Sequence, residues 1–277
     1  MLTEEMKTAL ADGGYAVVEG VVPTPLCEAV IEAVASFLRV DPDDASTWGV
    51  AHGHGIVPLH HHPALWNVRQ HPAVHAIFAE LYGSPALWSS VDRASFKPPA
   101  GDEAIRVSKL HWDADPRQPK EAAGYQGLVY LTDTEADQGA FCCAPEIYGD
   151  LPDWLEAHRD GITEALAEAT PHARRVGGKA GSLLIWSRLM PHSSARNDGA
   201  RPRWVQYVTM SPAADEAARL KLAAAFREKR APAWALRQKV KGQRDPEPGP
   251  VAELTSLGRR LAGLDPWGAQ TAQAASV

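Results

Sequence analysis

His111 and Asp113 stand two apart in the chain and offer an imidazole and a carboxylate. In an extended segment, side chains two apart share a face. Both groups then point the same way and present two adjacent ligands to a divalent metal. A third ligand must come from elsewhere, and Pro191-His192-Ser193-Ser194 offers it, just after the β-rich Ser182-Leu183-Leu184-Ile185-Trp186. Two histidines and one carboxylate on one face of an octahedron leave three positions open, the ligand pattern of non-haem Fe(II) oxygenases. A 2-oxo acid can chelate two of those positions through its C1 carboxylate and keto oxygen, and the last is left for O₂.

The far carboxylate of 2-oxoglutarate would need a cation. Arg203 stands eleven residues after His192, at the start of Arg-Trp-Val-Gln-Tyr-Val. A guanidinium suits the role because its planar fork binds a carboxylate through two parallel hydrogen bonds. Ser194 could add a hydroxyl, and Arg201 is the rival anchor. Lys97 shares a strand face with Ser95 and Arg93, from which it could contact 2-oxoglutarate or an acidic substrate; the plain alternative is a solvated strand face. Taken alone, His111–Asp113 reads as a surface pair and His192 as a turn histidine. The order of the pieces, their strand context and the arginine set the metal reading above those alternatives.

These side chains need a scaffold. Residues 2–12 read as a short helix stopped by Gly13–Gly14, and 15–22 as a strand. Leu26, Val30, Ile31, Val34 and Leu38 mark an amphipathic helix over about 25–39. Residues 50–63 form a Gly- and His-rich loop, and 64–83 a helix ending at Gly83–Ser84–Pro85. Short β-rich segments follow at 87–97, 104–113, 127–133, 139–144, 182–187 and 203–210, with one helical insertion at about 151–169. This order predicts a mainly β fold with flanking helices, a sandwich or jelly roll. Residues 213–240 read as helical, 241–250 as a polar linker, 251–262 as a last short helix, and the final ten residues as disordered. The expected organisation is one domain over 1–240 and a C-terminal extension over 241–277.

The bulk numbers bound the partners. The chain has 277 residues, enough for one large domain. A formal charge of −6 argues against nucleic acid, which needs a net basic face. No run approaches a membrane span, and the charged MLTEEMKTAL start lacks a secretion signal, so a cytoplasmic location is expected. Among the three cysteines, Cys142 and Cys143 are adjacent and so make a poor disulfide. With no CxxC pattern, a structural zinc site has no support, and buried free thiols are expected for at least Cys27 and one of the pair. His52, His54, His60, His61 and His62 suggest a second metal site, a substrate-facing loop or a plain polar loop. Trp112 is expected in the core. Trp186 could line the pocket, and Tyr207, sharing the parity of Arg203, should face the barrel interior.

The residues also resemble the phytanoyl-CoA dioxygenase-like branch of Fe(II)/2-oxoglutarate oxygenases. Phe96-Lys97-Pro98-Pro99 ahead of His111-Trp112-Asp113 is similar to that family's approach to its HxD motif. Leu131-Thr132-Asp133, Gly139 and Pro145 resemble its next strand, turn and following proline. Gly181-Ser182-Leu183-Leu184-Ile185-Trp186, Pro191-His192-Ser193-Ser194, Asn197 and Arg203 resemble its distal histidine block. Leu254-Thr255-Ser256-Leu257-Gly258 and Asp265-Pro266-Trp267 look like the tail of some bacterial members. The likeness covers residues 10–212 well and the tail loosely. It implies a double-stranded β-helix (jelly roll, cupin-like), Fe(II), 2-oxoglutarate and O₂ as cofactor set, and succinate and CO₂ as coproducts. Related halogenases carry a small residue in place of the carboxylate, so Asp113 points to hydroxylation or another C–H oxidation of a small metabolite or natural product. Two other readings stay open: a cupin-like metal enzyme that does not use 2-oxoglutarate, and a non-catalytic binding protein on the same scaffold.

Overall fold

The computed structural model describes residues 1–50, 55–100, 109–237 and 250–268. The strands are β1 (Tyr15–Val18), β2 (Ile56–Val57), β3 (Leu87–Ser89), β4 (Ala94–Lys97), β5 (Tyr125–Tyr130), β6 (Phe141–Cys143), β7 (Arg174–Val176), β8 (Leu183–Ser187), β9 (His192–Ser194), β10 (Arg203–Val208) and β11 (Met210–Pro212). A six-stranded antiparallel sheet in the order β1-β8-β5-β10-β4-β2 faces a three-stranded sheet, β7-β6-β9, and β11-β3 forms a short separate ribbon. This is the jelly roll expected from the strand pattern.

Side-chain alternation explains why the large sheet is apolar on both faces. On β8, Leu184 and Trp186 point between the sheets, where they meet Leu128, Tyr130, Phe141 and Val205. Their neighbours Leu183 and Ile185 point the other way, into a larger core with Val129, Leu131, Phe96 and Trp204. Helices cover that outer face: α1 (Glu4–Gly13), α2 (Thr24–Leu38), α3 (Pro63–Arg69) and α4 (Pro72–Tyr82). A sheet buried on both faces reads as continuous hydrophobic runs, as Leu183-Leu184-Ile185-Trp186 does.

Several expected elements divide. The single helix over 64–83 is two, because Pro72 forces His71 out of the helical region (φ −65°, ψ 126°) and opens α4 at its first turn. The strands expected at 87–97 and 203–210 each break in two, and they break together. Ala94 faces Gln206 and Ser89 faces Met210, so residues 90–93 lie opposite 207–209, four against three. That extra residue is a β-bulge beside the site. Of the segment expected at 104–113, residues 104–108 lie outside the described residues, and the remainder pairs only at His111. The helical insertion over 151–169 is two pieces, α7 (Leu151–Ala157) and α8 (Ile162–Ala169), and two short helical turns that were not expected precede it, α5 (Pro119–Ala122) and α6 (Pro145–Gly149).

Of the expected helix over 213–240, the described part is α9 (Glu216–Arg227) and α10 (Ala233–Arg237); residues 238–249, which include all of the linker at 241–250 but its last residue, and the tail from 269 lie outside the described residues. The last short helix is α11 (Ser256–Leu261), and it is anchored to the N-terminal helices. Gln70 Oε1 accepts from Thr255 N at 2.8 Å, Leu261 is fully buried, and Trp267 Nε1 donates to Leu87 O at 2.9 Å. Gly258 is the residue that touches Gln70, and an added Cβ there would meet Gln70 Oε1. Among the described residues no helix is long and apolar enough to cross a membrane. All three cysteines are buried free thiols, as expected.

Candidate metal centre

His111 and His192 form an antiparallel bridge: His111 N donates to His192 O and His192 N donates to His111 O, both at 3.0 Å. The bridge puts the two imidazoles on one side, 4.8 Å between ring centroids. Each ring is held at Nδ1 by a carbonyl two residues earlier, Lys109 O at 2.9 Å and Met190 O at 3.0 Å. With the proton on Nδ1, each Nε2 presents its lone pair outward. Asp113 closes the set, with Oδ1 3.7 Å from His111 Nε2 and Oδ2 3.8 Å from His192 Nε2. These separations are too long for hydrogen bonds and fit three ligands around a shared ion. Among the described residues this is the one group of three such side chains whose ligand atoms lie close together, all within 4.8 Å.

The electrostatics suit a cation. Burial, together with the neighbouring His111, lowers the pKa of His192 to about 4, so the ring stays neutral and able to ligate. Burial tends to raise the Asp113 carboxyl, but His192, the bond from Gln126 and His111 outweigh it and hold the group below its usual range. Gln126, on β5, donates through Nε2 to Asp113 Oδ2 at 2.6 Å. The sequence reading missed Gln126 because the expected strand began one residue later; an earlier strand start would have put Gln126 on the interior face with Leu128 and Tyr130.

The metal-binding group opens into a cleft of about 920 Å³, whose walls include Ser95, Trp186, Ser194, Arg203 and Tyr207. Arg203 is 1% exposed. Its Nη1 donates to Gly139 O at 2.9 Å and its Nη2 to Ser95 Oγ at 2.7 Å, while its buried Nε has no partner. No carboxylate pairs with it among the described residues. An orphaned donor on a buried guanidinium fits an incoming carboxylate. Arg201, the rival anchor, is exposed.

Lys97 faces Arg203 across the β4–β10 pairing. It does not line the cleft; it lies behind Ser194, donating to Ser194 Oγ and to Ala195 O, both at 2.7 Å. With Lys97 filling its acceptor side, the Ser194 hydroxyl keeps its proton to donate. Burial first, and Arg203 second, pull the Lys97 ammonium down to about 7.

Tyr207 faces the cleft as expected, while Gln206 turns to the helices and donates to Leu65 O at 2.9 Å. Trp186 lines the cleft and packs 5.2 Å from His192. Trp112 is half-buried against Trp154, bonded through Nε1 to Leu189 O at 2.8 Å, and also touches the cleft. In the histidine-rich loop, His52 and His54 lie outside the described residues. The others have structural duties: His62 caps α3 by accepting from Ala64 N, His61 Nε2 meets Arg230 O at 2.8 Å, and His60 Nδ1 lies 3.4 Å from Asp92 O.

A jelly roll with two histidines and one carboxylate at the mouth of an interior cleft defines the class of double-stranded β-helix metal oxygenases. The chain belongs to the phytanoyl-CoA dioxygenase (PhyH) family, whose profile matches residues 10–205. A protein of Dictyostelium discoideum that carries the phytanoyl-CoA dioxygenase name is 21% identical over 254 residues, 72% of each chain. Among solved structures, the GlcNAc inducible gene 2 protein of Candida albicans aligns with a TM-score of 0.69 at 13% identity, covering 96% of this chain and 77% of that one. The α-ketoglutarate-dependent epimerase SnoN from nogalamycin biosynthesis aligns at 0.55, with 19% identity over 76% of this chain and 83% of its own. HygX from Streptomyces hygroscopicus, solved with nickel and 2-oxoglutarate, aligns at 0.53, with 16% identity over 76% and 88%. At these identities the structural likeness establishes the shared fold.

Proposed function

We propose that this chain is an Fe(II)- and 2-oxoglutarate-dependent dioxygenase that hydroxylates a small metabolite or natural product, or oxidises it at another C–H bond, releasing succinate and CO₂. The observation that carries this reading is the joint arrangement of the His111–Asp113–His192 group and the buried, carboxylate-free Arg203 in one cleft. Two imidazoles and one carboxylate form a donor set that suits iron(II) and leaves positions for a chelating 2-oxo acid.

Iron(II), when bound, supplies the oxidising chemistry with O₂ and 2-oxoglutarate. The rest belongs to the chain. Lys109 O and Met190 O fix the two imidazole tautomers. Gln126 donates to Asp113 Oδ2 and orients the carboxylate that would help hold the metal. Arg203 and Ser194 take the far carboxylate of the cosubstrate, with Lys97 setting the Ser194 proton. Trp186, Phe141 and Leu128 wall the interior and keep water away from the reacting atoms. We place the protein in the cytoplasm, in keeping with three cysteines that are all free thiols.

The test is anaerobic Fe(II) titration followed by a screen for substrate-stimulated succinate formation. One Fe(II) per chain and succinate release dependent on 2-oxoglutarate are expected. Full succinate formation in His111→Ala would sink the assignment. Unchanged 2-oxoglutarate affinity in Arg203→Ala would favour a metal enzyme that uses no 2-oxoglutarate.

A further inference from the structure

We propose that the substrate carries a carboxylate and that Arg93 is the residue that reads it. This deepens the dioxygenase reading and rests on it. Arg93 closes the four-residue side of the β-bulge, and its carbonyl accepts from Tyr207 N at 3.0 Å. It lines the cleft that also holds His111, Asp113 and His192. Its guanidinium packs over two aromatic rings, 4.7 Å from the Tyr207 centroid and 4.6 Å from that of Trp234 on α10.

Aromatic rings packed against a guanidinium restrain its plane without using any N–H donor. The donors lie in that plane, so the edge is where a ligand can bind. One donor is engaged: Nη1 reaches Asp92 Oδ1 at 3.2 Å. Nε is buried and has no partner. A held fork with spare donors is what planar, two-point carboxylate recognition requires. An acid gripped there would lie in the same cleft as the metal-binding group.

The charge inventory of the cleft agrees. Its acids are Asp92 and Asp113, and its bases are Arg93, Arg188 and Arg203. Asp113 serves the metal, Arg203 the cosubstrate, and Asp92 balances Arg93. Arg188 remains: it bonds Ala123 O at 3.4 Å and forms no ion pair with a carboxylate of the described residues. By this count the cleft lining keeps one positive charge, which draws in anions.

The experiment uses the full chain loaded anaerobically with Mn(II) and 2-oxoglutarate, with that loading measured first. Calorimetry then compares a panel of aliphatic and aryl monocarboxylic acids with their methyl esters. Acids should bind, and esters should bind at least about 10-fold more weakly. Arg93→Gln should weaken acid binding by about 10- to 100-fold, the range for hydrogen bonds to a charged group. Arg93→Lys, which keeps the charge without the fork, should fall between. The ester comparison needs no variant, so it decides the matter even if Arg93→Gln does not fold. A panel in which no acid binds, equal binding of acids and esters, or undiminished acid binding by a folded Arg93→Gln would each overturn the proposal. Failure of the wild type to bind Mn(II) and 2-oxoglutarate would instead sink the dioxygenase reading beneath it, and that result appears before any acid is added.

Discussion

His111 and His192 are backbone partners: each donates its N–H to the other's carbonyl at 3.0 Å. Residues 81 positions apart are thus held in register by the ladder itself, and their rings meet on one face without help from side-chain packing alone. A jelly roll supplies such a pair wherever antiparallel segments oppose each other. Here the pair lies beside Asp113, at the mouth of the cleft.

His111→Ala leaves His192 and Asp113 without their third ligand. We predict at least about a 100-fold loss of anaerobic Fe(II) affinity, because even outer partners of metal ligands cost about 10- to 100-fold. Isothermal titration with Fe(II) or Mn(II) checks this, and retained stoichiometric binding would contradict the triad.

Gln126→Leu frees Asp113 Oδ2 and removes the bond that orients the carboxylate. Metal affinity or turnover should fall by about 10- to 100-fold with little change in melting temperature, since Gln126 faces the cleft. An unaltered metal affinity and turnover would mean that Asp113 is held by its backbone alone.

Arg203→Ala should raise the dissociation constant of 2-oxoglutarate by about 10- to 100-fold and leave metal binding near wild type. Ser194→Ala should act in the same direction and more weakly. Both are read by titrating 2-oxoglutarate into the Mn(II)-loaded protein; equal effects on metal affinity would show that the variants disturb the whole barrel.

Lys97 makes stability depend on pH in a definite direction. The unfolded side chain stays protonated up to about 10.5, whereas the buried one loses its proton near 7. Between those values the unfolded chain binds more protons, so this group makes stability rise with pH across that window. Cys27 and Cys143, raised to about 11 and 12 by burial, act in the opposite direction above about 9. The readout is therefore the difference between wild type and Lys97→Met in denaturant unfolding at pH 7 and pH 9, with the wild type gaining more. Equal slopes would show that Lys97 keeps its charge in the fold.

Gly139 adopts φ +68°, and an added Cβ would meet Lys97 Cδ at 2.8 Å. Gly139→Ala should destabilise the fold by about 1–3 kcal/mol and weaken 2-oxoglutarate binding, because Gly139 O also holds Arg203. Urea unfolding and the same 2-oxoglutarate titration test both parts.

Much of the site was legible because its signals are local. His111 and Asp113 two apart, a histidine after a strand and an arginine of set parity each follow from strand geometry. The same parity put Tyr207 in the cleft and Gln206 outside it. What escaped was set by partners distant in sequence. Gln126 matters only because Asp113 faces it. Trp234 matters because α10 brings it onto Arg93. The paired breaks at residues 90–93 and 207–209 belong to two strands at once, so neither strand alone announces them. Helix division at Pro72 was the exception, a local signal overlooked in a continuous apolar run.

By itself, then, the sequence determined the β-rich architecture, the kinds of candidate ligand and their facing, and an arginine of the parity that faces the cleft. These follow from residue chemistry and a period of two, which need no knowledge of neighbours. Tertiary structure alone decided that His111 and His192 are direct partners, that Lys97 supports Ser194 instead of lining the cleft, and that Arg93 packs against the rings of Tyr207 and Trp234. Those are relations between segments far apart in the chain, and only the closed barrel brings their atoms within contact distance.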